Sequence, residues 1–136
     1  AERLAWAKEV AAKVKDGARI SRPEIYAREA LLLSKYPPTL PIKLQAFCLG
    51  DLGIAATPCE VFAETGLAIK KGSPFKATFT ITLANGYGGY LPTPEQLGWG
   101  GYETWPARSS FLEVGAEPRI REGVLALLHD LAGTGK

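Results

Sequence analysis

With 136 residues, 46% of them hydrophobic and 22% charged, the chain has the composition of one globular domain around a modest core. Sixteen basic residues against 14 acidic leave a net charge of +2 with no basic run, so the charge pattern points to no nucleic-acid or membrane surface. The apolar runs are too short to span a bilayer, no stretch reads as a signal peptide, and a single histidine, His129, excludes a histidine-rich metal site built from this chain alone. The chain has no methionine and opens inside a helical pattern, so it is expected to be a processed chain or a piece of a longer protein.

Residues 2–15 place Leu4, Trp6, Val10 and Val14 on roughly one side and predict an amphipathic helix ending at Asp16-Gly17. Ser21-Arg-Pro-Glu24 is a capping box with proline in the first turn. It starts a second helix through about Ser34, whose apolar side is Tyr26, Ala30 and Leu33, widened by Ala27 and Leu31. The prolines of residues 36–41 stop it and mark a weak boundary. Two apolar runs, Ile42–Leu49 and Leu52–Thr57, flank Gly50-Asp51 and predict a hairpin. Its second strand is apolar on both faces and should be central and buried. Thr57-Pro-Cys-Glu60 then leads into a predicted helix to Lys71, closed by Gly72. Residues 75–83 alternate as a third strand, and Ser109–Val114 is a possible short fourth. From Glu117-Pro118 a last helix carries Ile120, Val124, Leu127, Leu128 and Leu131 as its core stripe and ends at Gly133.

These elements predict a mixed α/β fold: a buried β-hairpin and a further strand in a mixed sheet flanked by helices. The chain divides as a single domain or fragment, with a helical segment at 1–36 and the remainder at 37–136. Cys48 near the hairpin turn and Cys59 beyond its far end are kept apart, so both are expected to be free, buried and inert thiols.

The stretch from Ala84 to Trp105 holds six of the 15 glycines, three tyrosines and two tryptophans. It has neither strand nor helix periodicity and reads as an ordered loop that presents hydroxyls at Tyr87, Tyr90 and Tyr102. The alternative is a glycine-rich turn system whose aromatics plug the core. Tyr90 and Tyr102 are twelve residues apart, each after a glycine pair. A phenol can donate to a developing oxyanion, or bind a metal as phenolate; each ring can equally be structural. Glu60 follows a buried strand at a corner where α/β folds place functional groups, yet Thr57-x-x-Glu60 is also a capping-box pattern. His129, beside the apolar stripe of the last helix, reads as structural.

Three segments together resemble a known family. Gly50-Asp-x-x-Ile-Ala-x-x-Pro-x-Glu60, Ala84-Asn-Gly-Tyr-x-Gly-Tyr90-x-x-Thr93 and Gly101-Tyr102-Glu103 look like the C-terminal part of the neutral/alkaline (non-lysosomal) ceramidase catalytic domain. The likeness covers roughly residues 42–136. It implies a zinc-dependent amidase that cleaves an N-acyl bond of a ceramide-like lipid with metal-activated water. It implies Glu60 and Tyr90 as metal ligands, with the site completed by two histidines from the N-terminal part of the same protein. It implies Tyr102 beside the metal, stabilising the oxyanion, and export of the protein from the cytoplasm. Cys59 stands where the family has glycine, so a thiolate there would touch the metal or simply pack. Pro92 stands where the family has threonine, and the family's immunoglobulin-like domain is not among these 136 residues. The expectation from a different functional class is a non-catalytic α/β module that binds a ligand or partner through the aromatic loop.

Overall fold

The computed structural model describes residues 2–14 and 19–134. In chain order the elements are α1 (Glu2–Ala11), α2 (Arg22–Leu33), β1 (Gln45–Leu49), β2 (Leu52–Ala56), β3 (Glu60–Val61), α3 (Ala63–Gly72), β4 (Ala77–Ile81), β5 (Tyr90–Leu91), α4 (Pro94–Trp99), a 3-10 turn (Tyr102–Thr104) and α5 (Ala116–Thr134). The fold is mixed α/β. Gly50, at φ 59°, turns the β1–β2 hairpin. β2 is the central strand, antiparallel to β1 and parallel to β4, with α3 in the crossover. A second, two-stranded sheet pairs β3 with β5 in parallel.

Strand alternation decides what each sheet face meets. One face of the large sheet presents Ala46 and Ala55 to α3 and α5, where Ala55, Ile69, Val124 and Leu128 form a dry cluster. Its other face carries Phe47, Leu49, Leu52, Ile54, Phe79 and Ile81; Phe47 and Leu49 remain 50% and 68% exposed. A second cluster joins Cys59 and Leu91 to Ala116 and Ile120, and α1 packs on α2 through Ala7, Ala27 and Ala30. Among the described residues no helix is long and apolar enough to cross a membrane.

Several local expectations give way to tertiary partners. α1 ends at Ala11 rather than near residue 15, and the Asp16-Gly17 stop lies outside the described residues. β1 begins at Gln45, because Ile42 and Leu44 pack as side chains against the core from irregular backbone. The helix expected from Glu60 starts at Ala63. The Thr57 N–H donates to Ile81 O at 3.1 Å and the Glu60 N–H to Gly89 O at 2.9 Å, so the chain bends at Pro58 and Cys59 into the two-residue β3 and no capping box forms. Gly72 is the last residue of α3 rather than the one beyond it. Residues 109–114 form no strand; Ala107 and Ser110 instead close a tight turn on each other. α5 runs through Gly133, with Leu127 and Leu131 half-buried and Leu125 packed on the core. Both cysteines are free, but Cys48 is exposed and Cys59 alone is buried.

α2 begins as its capping box requires, with the Ser21 N–H donating to the Glu24 carboxylate at 2.6 Å. Farther along, the buried Glu29 pairs with Arg108. The Arg108 guanidinium holds the Glu29 carboxyl below its ordinary range; burial opposes this, and the Arg108 backbone N–H and the charges of Arg108 and Arg28 add to it. A depressed carboxyl contributes stability that is fully present above its unfolded value, near 4.5, and is lost as pH falls through the folded value. Thermal melts between neutral and acid pH are therefore expected to decline on the acid side, and Glu29→Gln to flatten that decline. Parallel declines in the two proteins would exclude the pair as a source of it.

Candidate functional site

The site grows out of the small β3–β5 sheet. Glu60 lies directly opposite Tyr90, and Val61 opposite Leu91. Residues opposed in register share a face, and successive residues alternate, so Glu60 and Tyr90 lie together on one side. Cys59 and Leu91 lie on the other, in the core. Cys59 is fully buried in that cluster, and burial pushes its thiol pKa up.

Backbone hydrogen bonds fix this register. Ala84 N–H donates to Thr57 O at 3.0 Å, Gly88 N–H to Pro58 O at 2.7 Å and Tyr90 N–H to Ser109 O at 2.8 Å. The glycine pair before Tyr90 is required by space. A Cβ on Gly88 would lie 2.6 Å from the Cys59 sulfur, and one on Gly89, at φ 72°, 2.8 Å from Ser109 O. The pair before Tyr102 is required by conformation, with Gly100 at φ 83° and Gly101 at φ 109°. The chain can thus reverse into the turn that sets the Tyr102 ring edge-on against Tyr90, centroids 5.7 Å apart and planes at 84°.

Tyr87 completes the group. Its pKa is raised first by partial burial and then by the charge of Glu60 and a hydrogen bond to it. Tyr90 is pushed well up, first by the Tyr102 hydroxyl, then by burial and by the Glu60 carboxylate. The structure thus assembles one carboxylate and three phenols. It brings together Glu60, Tyr90 and Tyr102, and keeps Cys59 and His129 apart from them. His129 contacts Gly72 O at 3.1 Å on the α3–α5 side.

Sequence reasoning missed two supports. Residues 84–105 hold β5, α4 and the 3-10 turn rather than unbroken loop. Thr93-Pro-Glu-Gln96 is a capping box in full, with Gln96 N–H to Thr93 Oγ1 at 3.2 Å and Thr93 N–H to Gln96 Oε1 at 2.9 Å; its pattern was there to be read. The Glu29–Arg108 pair had no local signal, since 79 residues separate its members.

Among the described residues no group of three or more His, Cys, Asp and Glu side chains is placed to hold a metal ion. The Glu60 carboxylate and the Tyr90 phenol, opposed on one sheet face, are two oxygen donors that could each ligate a cation. The chain matches no family model, and neither a curated protein nor a solved structure matches it.

Proposed function

We propose that this chain is the C-terminal part of a zinc-dependent amide hydrolase of the neutral ceramidase kind, acting on an N-acyl, lipid-like amide. The observation that carries the reading is the pairing of Glu60 with Tyr90 on one face, with Tyr102 edge-on beside them. Glu60 and Tyr90 would hold zinc, and two histidines from the N-terminal part of the same protein would complete it. The metal, when bound, supplies the Lewis acidity that activates water for attack on an amide carbonyl. The residues of this chain do the rest. Tyr90 would hold the metal as phenolate, its hydroxyl proton passing to solvent, since a nearby divalent cation favours the charged form of the phenol. Tyr102, 57% exposed at the rim, donates its O–H to the oxyanion as it forms.

Two further features support the reading. A cleft of about 640 Å³, lined by Leu33, Tyr36, Ile42 and Phe111 with Glu113 and Arg119 among its polar groups, has room for an acyl chain and a polar head. The exposed sheet face of Phe47, Leu49 and Phe79 would accept a covering layer from the N-terminal part proposed above. A second reading, an aromatic binding module without catalysis, is favoured by Trp99, 72% exposed next to the Tyr102 turn.

Calorimetric titration with zinc separates these readings. The 136-residue chain is expected to bind zinc weakly, and the same chain joined to the part bearing the remaining ligands to bind it tightly and cleave an N-acyl amide. Submicromolar binding by this chain alone would overturn the ligand set. A joined protein without zinc would leave the binding module.

A further inference from the structure

A buried carboxylate far from both phenols in sequence is tied to each of them by hydrogen bonds through one turn. Glu29, buried in α2, accepts three hydrogen bonds from Arg108: from its backbone N–H at 3.1 Å, from Nε at 2.8 Å and from Nη2 at 2.9 Å. Charge-assisted, two-pronged pairs of this kind fix geometry as well as contribute energy. Arg108 belongs to a turn closed by Ala107 N–H to Ser110 O at 3.0 Å and Ser110 N–H to Ala107 O at 2.8 Å.

Two bonds leave that turn, one toward each phenol. Ser109 O accepts the Tyr90 N–H at 2.8 Å. The Ser110 hydroxyl donates to Glu103 O, inside the 3-10 turn that carries Tyr102. Nothing between Tyr90 and Tyr102 in sequence sets their spacing so directly, because α4 and the Gly100-Gly101 reversal intervene.

We infer that the Glu29–Arg108 pair is a positioning device that holds the 107–110 turn and through it sets the separation of the Tyr90 and Tyr102 rings. The positioning is argued from these bonds; its catalytic consequence rests on the hydrolase reading. The competing account is that the pair only ties α2 to the body of the fold. That account predicts lower stability without any change in the ring pair while the protein is folded.

The test is nuclear Overhauser contact between the Tyr90 and Tyr102 rings in this chain, with methyl contacts among Ile69, Val124 and Leu128 as the control for an intact core. In Glu29→Ala the ring contact is expected to fall to background while the core contacts persist. In Glu29→Gln, which keeps an acceptor for the backbone N–H of residue 108 but loses the charge, it should weaken. A ring contact of unchanged intensity with the core intact overturns the inference. Should Glu29→Ala fail to fold, Arg108→Lys carries the same test from a half-exposed position, since lysine cannot reproduce the two-pronged contact. Zinc content keeps the two ideas separable. A ring contact that responds in this chain, while the protein joined to the part bearing the remaining ligands binds no zinc, sinks the hydrolase reading alone. Tight zinc binding by that joined protein with an unresponsive ring contact in this chain sinks the positioning alone.

Discussion

Glu60→Gln is expected to remove metal and hydrolysis together while the fold survives. The substitution keeps the size and shape of the side chain, and the backbone bond from residue 60 to Gly89 O does not involve it. What changes is the donor. A neutral amide oxygen is a much poorer zinc ligand than a carboxylate. The loss in metal affinity should be at least the roughly ten- to hundredfold that disturbing a ligand's own partners costs. A purely structural Glu60 would behave otherwise. It would cost about 1 kcal/mol through its contact with Tyr87, and zinc would stay. Metal analysis and turnover on the purified variant, in the protein that contains all ligands, decide between them. Full zinc occupancy with normal turnover rules out ligation.

Tyr102→Phe should show the complementary pattern: turnover down by about a hundredfold, the usual cost of one oxyanion donor, with zinc retained. The ring is kept, so its edge-on contact with Tyr90 and the 3-10 turn should persist. Only the O–H is lost, and it is lost at the rim. The two variants therefore check each other. If Tyr102→Phe sheds zinc while a Tyr90→Phe protein keeps it, the ligand and the oxyanion donor have been assigned the wrong way round. Unchanged turnover on a good amide substrate removes Tyr102 from the chemistry altogether.

How far the sequence could be read depended on where each backbone group finds its partner. The β1–β2 hairpin was legible because its apolar runs and the Gly50-Asp51 turn are local, and β2 is central as its two apolar faces require. The α3 start was not. Thr57-x-x-Glu60 has the form of a cap, but the amides it would satisfy are taken by carbonyls of Ile81 and Gly89, more than twenty residues on. The same holds for the site. Spacing alone set Tyr90 and Tyr102 twelve residues apart without saying whether they meet, and the likeness to a family supplied the grouping with Glu60. What periodicity did contain, and was not used, is the alternation through Cys59, Glu60 and Val61. Had that segment been read as strand, the thiol and the carboxylate would have parted to opposite faces at once. Nothing local could have announced Glu29 and Arg108.

The brevity of β3 and β5 has a consequence for how this region tolerates change. Each is two residues long, and their pairing is the whole of the small sheet. Side chains reverse faces at every step along a strand, so a slip of one position would drive Glu60 inward and turn Cys59 and Val61 outward. The region is therefore far more sensitive to length than to identity. Replacing Pro58 or Val61 by another residue of similar bulk disturbs packing. Adding or deleting a single residue between Thr57 and Glu60 turns the face inside out, and loops on either side cannot absorb the change while Ala84 and Gly88 stay bonded to Thr57 and Pro58.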